Sequence, residues 1–376
     1  MTSMKTTNRA SGFSLLELMV AMGLGVIVLG AATQLFTVGM KTSSLVSNRA
    51  EMQQNTRSAL SLIAKDVSLA GAGLPPNGIQ LPNGAGNLGL SRFACDQGGT
   101  CYLNNNNYAV GVVNGVGFTN YMFGLQPGFA NGMQKGGPTN IPATSRVPDA
   151  VTIVYVDGAL ALDKFTGAYP DNTGTQITLT APVPMPATLP PATDPGVGIK
   201  VGDLLMVTTS KGTGVGEVSV VNPLSVTGAT VTFTDNDALN INQSVAASNT
   251  LKTILTGAGT PVTVRRLLAI SYFVQIPTNG QLPRLMRQIN GATAQPVADN
   301  IIDMRITYDL CDTGNVGGVC ANTTDPLSLN ESPNQIHKVS ITLMGQSLAS
   351  NGRDSQSMQL ATAVSTRNLT FKDRYQ

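Results

Sequence analysis

One carboxylate stands in an otherwise apolar run. Glu17 is the single charged residue of FSLLELMVAMGLGVIVLGAATQLF, the 24 residues from Phe13 to Phe36. As a helix they span about 36 Å, enough for a hydrocarbon core of about 30 Å. An acid in such a span costs several kcal/mol unless it is paired or neutralised. Two readings follow from the spacing. Glu17 is a tolerated charge near the membrane edge, its head reaching toward water, or it is matched by a cation. Cleavage between Gly12 and Phe13 would create that cation, an α-ammonium four residues upstream. In an assembly of such helices the amine can belong to a neighbouring chain. In a low-dielectric setting the pair would fix the stagger of adjacent helices.

The remaining reactive residues are few. Cys95 and Cys101 bracket CDQGGTC, and Cys311 and Cys320 bracket CDTGNVGGVC. Four cysteines allow three pairings. The local pairing, Cys95–Cys101 and Cys311–Cys320, is the simplest, and each bridge is worth roughly 2–3 kcal/mol by loop closure. Free buried thiols and zinc are the alternatives, but zinc favours Cys-x₂₋₄-Cys and these gaps are five and eight. Disulfides imply an oxidising compartment, the periplasm or the cell exterior. His337 is the one histidine, and no nucleophile signature accompanies it. GTGVGE (212–217) misses the G-x-G-x-x-G register and reads as a hairpin turn. Asp235-Asn236-Asp237, and Asp312 with Asn315, offer oxygens but no EF-hand loop, so ordinary turns are expected. No catalytic residue, metal or cofactor is expected. The only enzyme chemistry implied is performed on this chain, at Gly12-Phe13.

Composition narrows the class. Charged residues make up 12% of 376, about half the usual share, while Gly (40) and Pro (21) are modestly raised. That mix suits a β-rich extracytoplasmic domain with an uncharged polar surface. Net charge is +2 with no basic stripe, so nucleic-acid binding has no support.

The elements that must position Glu17 follow. Met1 to Gly12 carries Lys5 and Arg9 and no acid, so the N-terminus should stay cytoplasmic while the rest crosses. No persuasive signal cleavage site follows the apolar run, and Ala31-Ala32 within it is only a weak candidate, so a retained anchor fits better. Thr42 to Leu69 has no Gly or Pro. Leu45, Met52, Ala59, Leu60, Ile63, Val67 and Ala70 recur at helical spacing, with Arg49, Gln53, Arg57, Lys65 and Asp66 at the other positions. This amphipathic stripe is expected to pack on its own globular domain and to end at the Gly71–Pro76 run. A helix from Phe13 to Ala70 would be about 87 Å long.

Gly73 to Asn140, with NNNNY and NGVGF, reads as loops and short strands. Strands are expected at 150–158, 175–181, 203–210, 216–222, 229–234, 263–275, 283–289, 300–310, 337–346 and 358–371. The Pro-rich stretch Thr180 to Gly196 reads as an extended exposed loop. The fold class is α+β: a long N-terminal helix, half transmembrane and half amphipathic, joined to a mainly antiparallel β-rich head. The expected divisions are 1–12, 13–36, 37–72 and 73–376.

GFSLLELMVAM resembles the class III signal peptide of type IV prepilins and pseudopilins. The resemblance implies that 1–12 is a leader. A prepilin peptidase would cut after Gly12 and methylate Phe13, and Glu17 would be the fifth mature residue, used in assembly. Four patches are also similar to the PilW family of minor pilins: QQNTRSALSLIAKDVSLAGAG (53–73), VADNIIDMRITYDLCDTG (297–314), HKVSITLMGQS (337–347) and STRNLTFKDR (365–374). The membrane span lacks the mid-helix Pro of many major pilins. The resemblance implies a minor pilin that primes assembly or sits at the tip of a type IV pilus used for adhesion or twitching motility. Its partners would be other minor and major pilins, the inner-membrane assembly platform and a tip adhesin. It would reside in the inner membrane, head in the periplasm, and then in the pilus at the cell surface. The alternatives are a minor pseudopilin of type II secretion, a membrane-tethered periplasmic enzyme or binding protein, and a role in DNA uptake.

Overall fold

The structure, a computed structural model, describes residues 12–76, 78–82, 91, 93–98, 101–103, 121–130, 132, 147–168, 174–224, 227–244, 250–256, 262–275, 283–311, 320–326, 332–347 and 356–369. NNNNY, NGVGF and the Asp312/Asn315 turn lie outside them.

Helix α1 runs Leu15–Leu69, 55 residues and about 83 Å. Its residues are exposed from Leu15 to Ser44, and the first that is partly buried is Leu45. From there the buried residues are Met52, Thr56, Ala59, Leu60, Ile63, Asp66 and Val67, at three- and four-residue spacings. The expected stripe therefore packs on the chain's own head. Gly71 and Gly73 end the helix at φ +78° and +75°, conformations that favour glycine.

The head is built of strands. In chain order they are β1 (Ile79–Gln80), β2 (Tyr121–Met122), β3 (Leu125–Gly128), β4 (Ala150–Val156), β5 (Thr166–Ala168) and β6 (Gln176–Thr180). Next come β7 (Leu204–Thr209), β8 (Gly212–Glu217), β9 (Val220–Pro223) and β10 (Ala229–Thr232). A short helix α2 (Leu251–Leu255) precedes β11 (Thr263–Gln275), β12 (Arg284–Ile289), β13 (Gln295–Asp299) and β14 (Ile301–Leu310). The last are β15 (Ala321–Thr323), β16 (Ile336–Gln346) and β17 (Ser357–Ser365). Every pairing among them is antiparallel.

The largest sheet has the order β13-β12-β11-β4-β3, with β7 on β11 and β8 on β7. Strand β11 is long enough to pair with β12 through its C-terminal half and with β7 through its N-terminal half. Successive β4 residues face opposite ways. Val151 and Ile153 join a core with α1, β14 and β16, while Ala150 and Val154 join a second core with Tyr102, Leu204 and Phe273. A third core lies among β6, β7 and β10. Two four-stranded sheets, β5-β6-β10-β9 and β15-β14-β16-β17, and the two-stranded pair β1-β2 make up the rest of the described head.

Four sequence expectations need correction. The strand expected at 358–371 ends at Ser365 and gives way to a turn at 367–369, and 370–371 lie outside the described residues. GTGVGE is strand β8, paired along its length with β7, and the turn is Ser210-Lys211. Its glycines admit the neighbours: a Cβ on Gly214 would meet the Ile254 side chain of α2 at 2.5 Å. The single strand expected at 216–222 is divided between β8 and β9. The Pro-rich stretch is only partly exposed. Val183 is 91% exposed, but Leu189 and Ala192 enter the third core. Arg266 tethers the segment that follows, donating to Val197 O at 2.8 Å and to Gly198 O at 3.1 Å.

The chain leaves α1 hard against β4. Gly71 N donates to Val154 O, and Val156 N donates to Ala72 O, both at 2.9 Å. A Cβ on Gly124 would stand 2.5 Å from the Gly71 backbone, a contact with no flexible end to give way. Gly124→Ala is expected to cost about 2–3 kcal/mol, read as a lower denaturation midpoint of the full chain in detergent. An unchanged midpoint would contradict this close approach.

Candidate functional site

Gly12 and Phe13 lie before the helix, and Phe13 is 87% exposed. A Cβ on Gly12 would meet nothing within 4 Å. Packing within the chain therefore does not select glycine there. Ser14 is the N-cap, extended at φ −74°, ψ 151°. Its Oγ accepts from Glu17 N at 3.2 Å, and Glu17 Oε2 accepts from Ser14 N at 3.3 Å. This reciprocal pair is a capping box. It satisfies two of the donors that a helix start leaves open, which matters most where no water is at hand. The Ser-x-x-Glu spacing is itself a sequence signature of this cap.

The capping box gives Glu17 a fixed position. Its carboxylate sits against the positive end of the helix dipole, one residue from the Phe13 nitrogen. Oε2 is engaged, and among the described residues Oε1 takes no bond. Around and beyond it the helix is apolar on all sides, and its most apolar 18-residue window is wholly unburied. By length and composition α1 can cross a membrane. After Glu17 the next charge is Lys41.

The other end of α1 is locked to the head by a residue expected to face away from it. Asp66 is 3% exposed. Its Oδ2 accepts from Tyr272 OH at 2.6 Å, from Arg287 Nη2 at 3.0 Å and from Arg287 Nε at 3.2 Å. Arg287 Nε also donates to the Tyr272 hydroxyl at 3.0 Å. Burial, and then Asp66, push the Tyr272 phenol far above its ordinary range. Asp66 lies three residues after Ile63, on the buried stripe itself, and a charge is held there because β11 and β12 supply its partners.

The cysteines form the bridges Cys95–Cys101 and Cys311–Cys320, with Cα separations of 4.0 and 4.2 Å. The first bridge closes a loop docked on the large sheet. Gln288 Nε2 donates to Cys95 O at 2.6 Å, and Tyr102 stacks on Phe273 with centroids 5.6 Å apart. His337 lies in β16, half-buried, and its carbonyl accepts from Thr366 N at 2.9 Å. Asp235 accepts from Ser244 N and Oγ at 2.8 and 2.6 Å. Asp237 accepts from Ile241 N and Asn242 N at 2.8 and 2.7 Å. These oxygens build the turn that holds them. The structure does not bring His337, the cysteines and Glu17 into one site.

Glu217 was not singled out in the sequence, where it closes a glycine-rich strand. It is fully buried. Oε2 accepts from Leu239 N at 3.0 Å, and Oε1 accepts from Gln97 Nε2. Burial, then the Asp237 carboxylate, push its pKa from 4.5 up to about 9. Across that window the folded chain holds a proton that the unfolded chain has released. This group therefore makes stability fall as pH rises from about 4.5 through about 9. Glu217→Gln, which mimics the protonated form, is expected to flatten that fall. Denaturation midpoints between pH 5 and 9 check it, and an unchanged slope in the variant would contradict the assignment.

The prokaryotic N-terminal methylation motif matches residues 7–33, a segment that contains Gly12, Phe13, Ser14 and Glu17. No curated protein and no solved structure matches the chain. The N-terminus is thus of the prepilin type, and the motif implies processing by a prepilin peptidase and assembly with other pilins or pseudopilins.

Proposed function

We propose that this chain is a minor pilin of a type IV pilus. A prepilin peptidase cuts after Gly12 and methylates Phe13. Residues 13–36 hold the subunit in the inner membrane, with the N-terminus toward the cytoplasm and the head in the periplasm. The same helix then packs among those of other pilins, with Glu17 meeting a neighbouring N-terminal amine. The head presents a surface to other minor pilins or a tip adhesin and performs no catalysis. One observation carries this reading. A methylation motif heads a long helix whose apolar first part is unburied and holds a single acid, Glu17, and whose last turns are rooted in a β-rich head. The four PilW-like patches and the size of the head favour a minor subunit over a bulk one.

Sheared pili from the native host are the test. The chain is expected in that fraction at far lower abundance than the main subunit, and its deletion should reduce piliation. A chain that is absent from pili and instead supports protein secretion would favour the minor pseudopilin. Normal piliation in the deletion strain would count against the priming role.

A further inference from the structure

Strand β17 closes the β15-β14-β16-β17 sheet on one side. It pairs with β16 without a bulge, from Lys338 opposite Ser365 to Gln346 opposite Ser357. Among the described residues no strand pairs with its outer edge. About half of its backbone N–H and C=O groups face that edge. Left dry and unpaired, each would be costly.

Among the described residues, the other edges of the three larger sheets are blunted in recognisable ways. Strands β5 and β15 have three residues each. Strands β3, β9 and β13 carry Pro127, Pro223 and Pro296. The glycine edge of β8 lies under α2. Strand β17 has none of these devices. Its nine residues, SMQLATAVS, include no proline and no charge. Long, flat, uncharged edges are what natural sheets avoid exposing. One face of β17 also packs beside α1, with Leu360 and Val364 against the α1 core. The open edge thus borders the helix whose N-terminal end carries the methylation motif.

We propose that the outer edge of β17 receives an extended strand from a neighbouring subunit of the same assembly, making a fifth strand. Backbone hydrogen bonding sets the chemistry of the occupant: an uncharged, proline-free segment of up to about nine residues, roughly 30 Å long. The inference rests on the pilin reading above.

The test uses the full chain in its native host, with the photo-crosslinker p-benzoylphenylalanine at exposed Ala361 and, as control, at Lys211 in the β7–β8 turn. Position 361 is expected to capture a different chain that carries its own N-terminal methylation motif, through an extended segment. Position 211 is expected to capture none. Gln359→Lys with Ala363→Lys, both at exposed positions, should cut the adduct about tenfold with the denaturation midpoint unchanged. Three results would overturn the proposal while Phe13 is methylated and the chain is in pili. They are adducts only to its own residues, adducts only to a second copy, and no more adduct than at 211. A chain with unmethylated Phe13, absent from pili, would instead defeat the pilin reading, and this proposal with it.

Discussion

Glu17→Ala is expected to leave the Gly12–Phe13 bond cleavable and to cut incorporation into pili by more than about a hundredfold. The cut site lies outside the helix and is open, so removing a side chain within the first turn does not close it. Assembly is different. On the proposed reading a processed N-terminus carries an α-ammonium into a low-dielectric bundle, and removing Glu17 as its partner leaves that charge unpaired at a cost of about 3–5 kcal/mol. Glu17→Gln separates the two roles of this residue. Glutamine also closes a capping box, so the helix start is preserved, but the countercharge is lost. It is therefore expected to assemble as poorly as the alanine variant. Immunoblots that resolve precursor from processed chain, in membranes and in sheared pili, read both quantities. Wild-type incorporation of the glutamine variant would show that capping, and not charge, is what Glu17 supplies.

Asp66→Ala is expected to destabilise the head by about 2–3 kcal/mol. Truncation leaves the Tyr272 hydroxyl and the Arg287 guanidinium without their acceptor, and the side chain removed is only 5% exposed. Breaking a fully buried ion pair costs more, about 3–5 kcal/mol, but Arg287 retains 21% exposure and water can reach it. Asp66→Asn keeps an acceptor for the tyrosine and should lie between. Urea midpoints of the full chain in detergent give the order wild type, asparagine, alanine. An alanine variant within about 0.5 kcal/mol of wild type would mean that α1 is held by its apolar stripe alone.

Legibility varied with how local the cause was. The sequence range 263–275 for β11 matches the strand itself, because TVRRLLAISYFVQ is β-branched and aromatic across one unbroken run. Helix α1 begins and ends within two residues of its expected limits, since apolar content, spacing and the Gly71 stop all act locally. Strands β3 (LQPG) and β13 (QPVAD) were not legible. Proline argues against them, and they exist because β4 and β12 offer partners from elsewhere in the chain. Asp66 failed for the same reason, its hydroxyl partner being 206 residues away. The capping box at Ser14 and Glu17 is local, and its Ser-x-x-Glu spacing stands in the sequence. Glu217 had no signal, since only the fold brings Gln97 and Asp237 to it.

The pairing of Glu17 with a trimmed N-terminus depends on what the mature chain starts with. Intact-mass measurement of the protein from its native host is the direct test. The expected result is a chain that lacks residues 1–12 and begins at Phe13 carrying one added methyl group. A chain retaining residues 1–12, or one cut beyond Phe36 and freely soluble, would contradict it.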